Sequence, residues 1–124
     1  MWLPALFLII GLLLGFMTNM SIPDAYTNYL SIAVLAALDT LFGGIRAQLE
    51  AKFDQKVFIS GFFFNVSLAA FLAFIGVQLG IDLYLAAIFA FGVRLFQNLA
   101  MIRRLLLEKY ELYRKAKKVR NHNI

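Results

Sequence analysis

The sequence has no cysteine and a single histidine, and only 15% of its residues are charged. Without cysteine there is no disulfide framework and no thiolate metal site. The lone His122 lies in a polar tail and has no second histidine with which to build a metal pair. Scarce charge excludes a disordered chain, which needs polarity to stay solvated. What is abundant is hydrocarbon: 62% of the 124 residues are hydrophobic, with thirteen Phe. A soluble domain of this size cannot hide that much apolar surface, because small folds leave a large share of their residues wet. An ordinary soluble enzyme is therefore excluded, and the solvent of this chain is expected to be mainly lipid.

Four apolar segments approach the roughly 20 residues that a helix needs to cross about 30 Å of hydrocarbon. They cover about 2–19, 29–49, 57–78 and 81–107, and residues 108–124 form a polar tail. The first segment has no Lys or Arg before it and no small-residue cleavage site after it. It reads as a retained span rather than a cleaved signal peptide. The fold class expected is an all-α membrane protein: a bundle of four transmembrane helices with short loops and a basic cytoplasmic C-terminal extension that prolongs the fourth helix. No internal repeat is visible.

Net charge is +5, and its distribution is more telling than its size. Eleven of the twelve basic residues lie in two blocks, Arg46–Lys56 and Arg103–Arg120. Short loops make neighbouring helices antiparallel, so four spans put both blocks and both termini on one side. The opposite loops, 20–28 and 79–82, contain only acids, Asp24 and Asp82. The positive-inside rule makes the basic side cytoplasmic. Trp2, Phe53, Tyr110 and Tyr113 would mark that interface, and Tyr26, Tyr29 and Tyr84 the other.

Polar residues inside apolar spans are expensive and carry the functional signal. Asp39 lies in the second span, Asn65 in the third, and Arg94, Gln97 and Asn98 in the fourth. Counted from the basic ends at 1.5 Å per residue, Asp39, Asn65 and Arg94 all fall roughly 12–15 Å deep. Ala36, Asp39, Thr40, Gly43 and Ala47 share one helix face, as do Ala87, Ala90, Arg94, Gln97, Asn98 and Met101. Small residues beside polar ones mark helix contacts. The expectation is an Asp39–Arg94 ion pair with Asn65 as a hydrogen-bonding third member. A shallower layer would hold Arg46, Ser60, Gln97 and Asn98, with surface snorkelling as the alternative for Arg46. Dry sequence outward of Asp39 and Arg94 favours a structural clasp over a proton or solute relay.

Gly11 and Gly15 form a GxxxG that suits either an intrachain contact or a dimer seam. Gly43 and Gly44 would loosen the second helix or let it pack closely. In the tail, Lys109, Arg114, Lys115, Lys117, Lys118 and Arg120 would meet anionic lipid or a partner. Nucleic acid is not an expected partner, since no folded module is left to present the charge. No nucleophile–base set and no metal constellation is present, and no cofactor is expected.

The segments SIAVLAALDTLFGGIRA (31–47), VFISGFFFN (57–65) and DLYLAAIFAFGVRLFQNLAMIRR (82–104), with the opening MWLPALFLIIGLLLGFMTN, resemble the small basic protein family of Gram-positive bacteria. The resemblance extends to about Leu107, and the tail matches only in being basic. It implies an integral membrane protein without an assigned activity, whose gene lies near cell-division and wall genes. It brings no catalytic residues. The function expected is a non-enzymatic scaffold or assembly partner for envelope or cell-division proteins in the bacterial cell membrane. Its partners would be membrane lipids and other membrane proteins, and a homo-oligomer through Gly11 and Gly15 stays open. The alternative is a transporter or channel subunit that uses the Asp39/Arg94 layer.

Overall fold

A computed structural model describes residues 2–123, and of Trp2 the backbone alone, so the interface role expected of the Trp2 side chain lies outside the described residues. The chain forms α1 (Trp2–Met17), a 3₁₀ turn (Asp24–Tyr26), α2 (Thr27–Leu49), α3 (Gln55–Leu79) and α4 (Tyr84–His122). No strand occurs among the described residues. Three helices, α2, α3 and α4, are long and apolar enough to cross a membrane.

α1 is not. Its 16 residues rise only about 24 Å, less than the hydrocarbon thickness. The expected span to residue 19 ends early: the Thr18 hydroxyl donates back to the Gly15 carbonyl, 3.0 Å away, and no regular structure follows until Asp24. Proline has no N–H to give a helix and holds the preceding residue extended. At the other end of the chain, α4 runs unbroken from Tyr84 to His122. The polar stretch after Leu107 is rich in good helix formers, and Arg104 pairs with Glu108 one turn on, at 3.3 Å.

The turns are locally encoded. α2 closes with Ala51 in the left-handed region (φ 58°), and the Lys52 N–H donates to the Ala47 carbonyl at 2.8 Å. Asp54 then caps α3, its carboxylate accepting from the N–H groups of Lys56 and Val57. α3 ends at Gly80 (φ 71°), and the Ile81 N–H donates to the Gly76 carbonyl at 2.9 Å. That turn folds back so closely that a β-carbon at residue 76 would meet the Ile81 carbonyl oxygen at 2.5 Å. Gly76→Ala is therefore expected to cost about 1–3 kcal/mol, read as a lower thermal midpoint of the detergent-purified protein.

α2 is the central helix and packs along both α3 and α4, whereas α3 and α4 meet over a shorter length. The core consists of Ile32 and Ala36 from α2, Ala69 and Ala73 from α3, and Ala87 and Phe91 from α4. Four of these six are alanines, which let the backbones approach. All six lie toward the end of the bundle that carries the α3–α4 turn. α3 has no buried residue before Ala69. α1 stands apart: from Leu3 to Met17 only Pro4 and Ala5 are even half-buried.

Candidate functional site

The apolar core gives way to polar side chains at Asp39. Helical spacing puts this residue one turn beyond Ala36 on the same face of α2, and its side chain is wholly buried. Arg94 of α4 stands one turn beyond Phe91, with its guanidinium carbon 5.9 Å from the Phe91 ring centre. Its Nη2 lies 3.3 Å from Asp39 Oδ2. The two partners differ sharply in exposure, 55% for the Arg94 side chain and 0% for that of Asp39. Neither Asp39 oxygen receives an aligned hydrogen bond from the described residues. Proximity of charge, not hydrogen-bond geometry, holds this contact together.

Asn65 does not reach the pair. Its amide donates to Thr40 Oγ1 at 3.5 Å, and the Thr40 hydroxyl donates to the Ala36 carbonyl at 3.0 Å. One residue along a helix is a rotation of about 100°, so Asp39 faces α4 while Thr40 faces α3. Asn65 thus ties α3 to α2 beside the ion pair without joining it. Thr40 is a contact that sequence reasoning left without a role, although its place next to Asp39 on the small-residue face was the available signal.

A second polar contact lies one to two turns closer to loop 50–54. Arg46 donates through Nη1 to Asn98 Oδ1 at 3.3 Å and through Nε to Glu50 Oε1 at 3.1 Å. Glu50 was not anticipated here. Gly43 faces Asn98, and a β-carbon at residue 43 would sit 3.5 Å from the Asn98 amide nitrogen, an ordinary contact. Gly44 is buried. Ser60 does not belong to this layer, because its hydroxyl donates to the Lys56 carbonyl of its own helix at 2.7 Å. Gln97 is exposed and makes no side-chain hydrogen bond among the described residues. Ala90 is exposed too, so the α4 face expected from sequence splits: Ala87 and Asn98 look inward, Ala90 and Gln97 outward.

Beside the ion pair is a cleft of about 220 Å³, lined by Asp39, Gly43, Gly44, Gly61, Asn65 and Arg94, with Lys52 and Asp54 at the loop end. A β-carbon at residue 61 would meet nothing within 4 Å. On the other side of the pair the apolar core closes. Gly11 and Gly15 face open space, so they make no close intrachain contact. Lys109, Arg114, Lys115, Lys117, Lys118 and Arg120 are all exposed along α4. No group of three or more His, Cys, Asp or Glu comes together among the described residues.

A family profile described as "Protein of unknown function (DUF1290)" matches residues 22–107. The "Small basic protein" of Bacillus subtilis (strain 168) is 66% identical over 118 residues, 95% of this chain and 98% of its own length. The chain belongs to this family. An uncharacterized protein of Mycobacterium tuberculosis (strain H37Rv) is 46% identical over 101 residues, 80% of this chain and 84% of that protein. No solved structure matches. The family profile spans α2, α3 and the first part of α4, which are the helices that pack on one another, and leaves out α1 and the last fifteen residues of α4, 108–122.

Proposed function

We propose that this member of the small basic protein family is a non-enzymatic, multi-pass scaffold of the bacterial cell membrane, an assembly partner for envelope or cell-division proteins. The observation that carries this reading is the Asp39–Arg94 pair, made within one chain and backed by a closed apolar core on one side. An acid and a base that neutralise each other across α2 and α4 fix the register of those helices and leave their outer faces for other spans. Those faces are apolar: Phe63, Phe71, Phe89 and Phe96 are all more than half exposed. In this reading α1 is a fourth, short span, its mismatch taken up by local thinning of the bilayer. The basic residues at one end of the bundle support a cytoplasmic side for both termini, by the positive-inside rule. The link to cell division rests on the resemblance noted above.

The charge-swap experiment tests the clasp. Asp39→Arg and Arg94→Asp are each expected to lower membrane abundance severalfold and to lose co-purifying membrane proteins after gentle solubilisation. The double exchange restores both. A double variant no better than either single one removes the clasp.

The cleft beside the pair supports a second reading, a transport subunit whose path begins at loop 50–54. The two differ in what Asp39→Asn does. A transporter loses flux at unchanged protein level; a scaffold loses some stability and has no flux to lose.

A further inference from the structure

We propose that the distal part of α4, from Leu105 to His122, is a docking rod for an acidic amphipathic helix of another protein. This rests on the membrane reading above and adds the chemistry of a partner on the side of loop 50–54.

Inside the bundle the packed face of α4 repeats every 3.5 residues: Ile88, Phe91, Leu95, Asn98, Ile102 and Leu105 are buried or half-buried. The same spacing continues through Lys109, Leu112, Ala116 and Val119. α2, which packs along α4, ends at Leu49, and every residue from Leu106 to Asn123 is exposed. Leu112 is 67% and Val119 62% exposed, with Tyr113 (65%) beside them. The seam, apolar beyond α2 except at Lys109, thus outruns the helix that covers its first half.

Three occupants are conceivable, and two conflict with the geometry. To lie on the bilayer, α4 would have to turn through about a right angle after Arg103. Sharp kinks need Pro, Gly or an inserted group, and residues 103–122 contain neither Pro nor Gly. Unbent, the helix carries Lys117 about 21 Å beyond Arg103, against a screening length of about 8 Å, so the last basic residues stand outside the attraction of the headgroups. The charges also surround the rod instead of lining one side: Lys109 stands in the seam, Glu108, Lys115 and Arg120 flank it, and Arg114 lies opposite. A second copy fits no better. Residues 108–124 hold six basic and two acidic side chains, so two rods in contact would bring like charges together over barely two heptads. An acidic helix meets both requirements. Its apolar face covers Leu112, Ala116 and Val119, and its carboxylates meet Lys109 at the start of the seam and the flanking Lys115 and Arg120.

The test uses the full chain in nanodiscs that contain phosphatidylglycerol. The protein has no cysteine, so Val119→Cys accepts a single nitroxide. The label is expected to collide with a water-soluble nickel chelate; partition into lipid overturns the proposal, and so does disulfide cross-linking between two copies of that variant. Binding is then read with two synthetic probes of equal charge, polyglutamate and a helix with Leu on a 3.5-residue seam flanked by Glu. The amphipathic probe is expected to bind about tenfold more tightly or better. Leu112→Gln combined with Val119→Gln should abolish that difference and leave polyglutamate binding unchanged, since glutamine keeps the helix. Equal affinity of the two probes for the unmodified chain sinks the docking rod alone. Failure to enter nanodiscs sinks the membrane reading and this proposal with it.

Discussion

Arg94→Met is expected to cost about 3–5 kcal/mol, near the lower end of that range, whereas Asp39→Asn costs about 1 kcal/mol. The asymmetry follows from exposure. Removing the guanidinium leaves the Asp39 carboxylate, wholly buried and without another donor among the described residues, as an uncompensated charge. Removing the carboxylate leaves a guanidinium whose side chain is half exposed and lines a cleft, so water can solvate it. The nearby cleft also moderates the first loss. Combining Arg94→Met with Asp39→Leu removes both charges and is expected to recover most of the stability, because two well-packed apolar groups cost little where a buried pair stood. Thermal unfolding in detergent, together with the amount of protein retained in membranes, measures all three. If Asp39→Asn proves as damaging as Arg94→Met, the proposed difference in solvation between the two partners is wrong.

Thiol labelling should give the second large effect. In the cysteine-free background, a membrane-impermeant reagent added on the side of loop 50–54 is expected to modify Gly61→Cys on the order of 100-fold faster than Ala73→Cys. Gly61 faces open space in the cleft, whereas Ala73 is 5% exposed in the apolar core. Reagent added on the opposite side should reach neither. A continuous path through the bundle would make both positions reactive, from either side, and would favour the transport reading over the scaffold.

Depth along the helices could be counted from the chain. Asp39 and Arg94 stand about equally far from their basic ends, and the rise per residue turns equal counts into equal heights. Rotation about the helix axes was harder to judge. Asn65 shares the level of the pair yet points to Thr40, and Gln97 shares a nominal face with Asn98 yet points outward. Adjacent residues differ by about 100°, so two polar residues at consecutive positions do not face the same neighbour. Only the neighbouring helix decides which member is covered. The Arg46–Glu50 contact was missed for a related reason: a charged residue at a helix end has several partners in reach, and spacing alone does not rank them.

Composition and the placement of charge were enough to establish that this chain is helical, apolar and basic at one end. Hydrocarbon surface in this amount has no place to hide in 124 residues, and backbone groups away from water must bond within their own helix. Tertiary structure alone decided that α2 is the centre, that α1 stands aside and that α4 outruns its cover. α1 is bulky and apolar on nearly every face, so its sequence carries no preference for a neighbour. The bare end of α4 depends on where another helix, α2, happens to stop. Everything built on the three packed helices depends on the acid of one and the base of another staying in contact, and finding those two groups apart in solution would undo it.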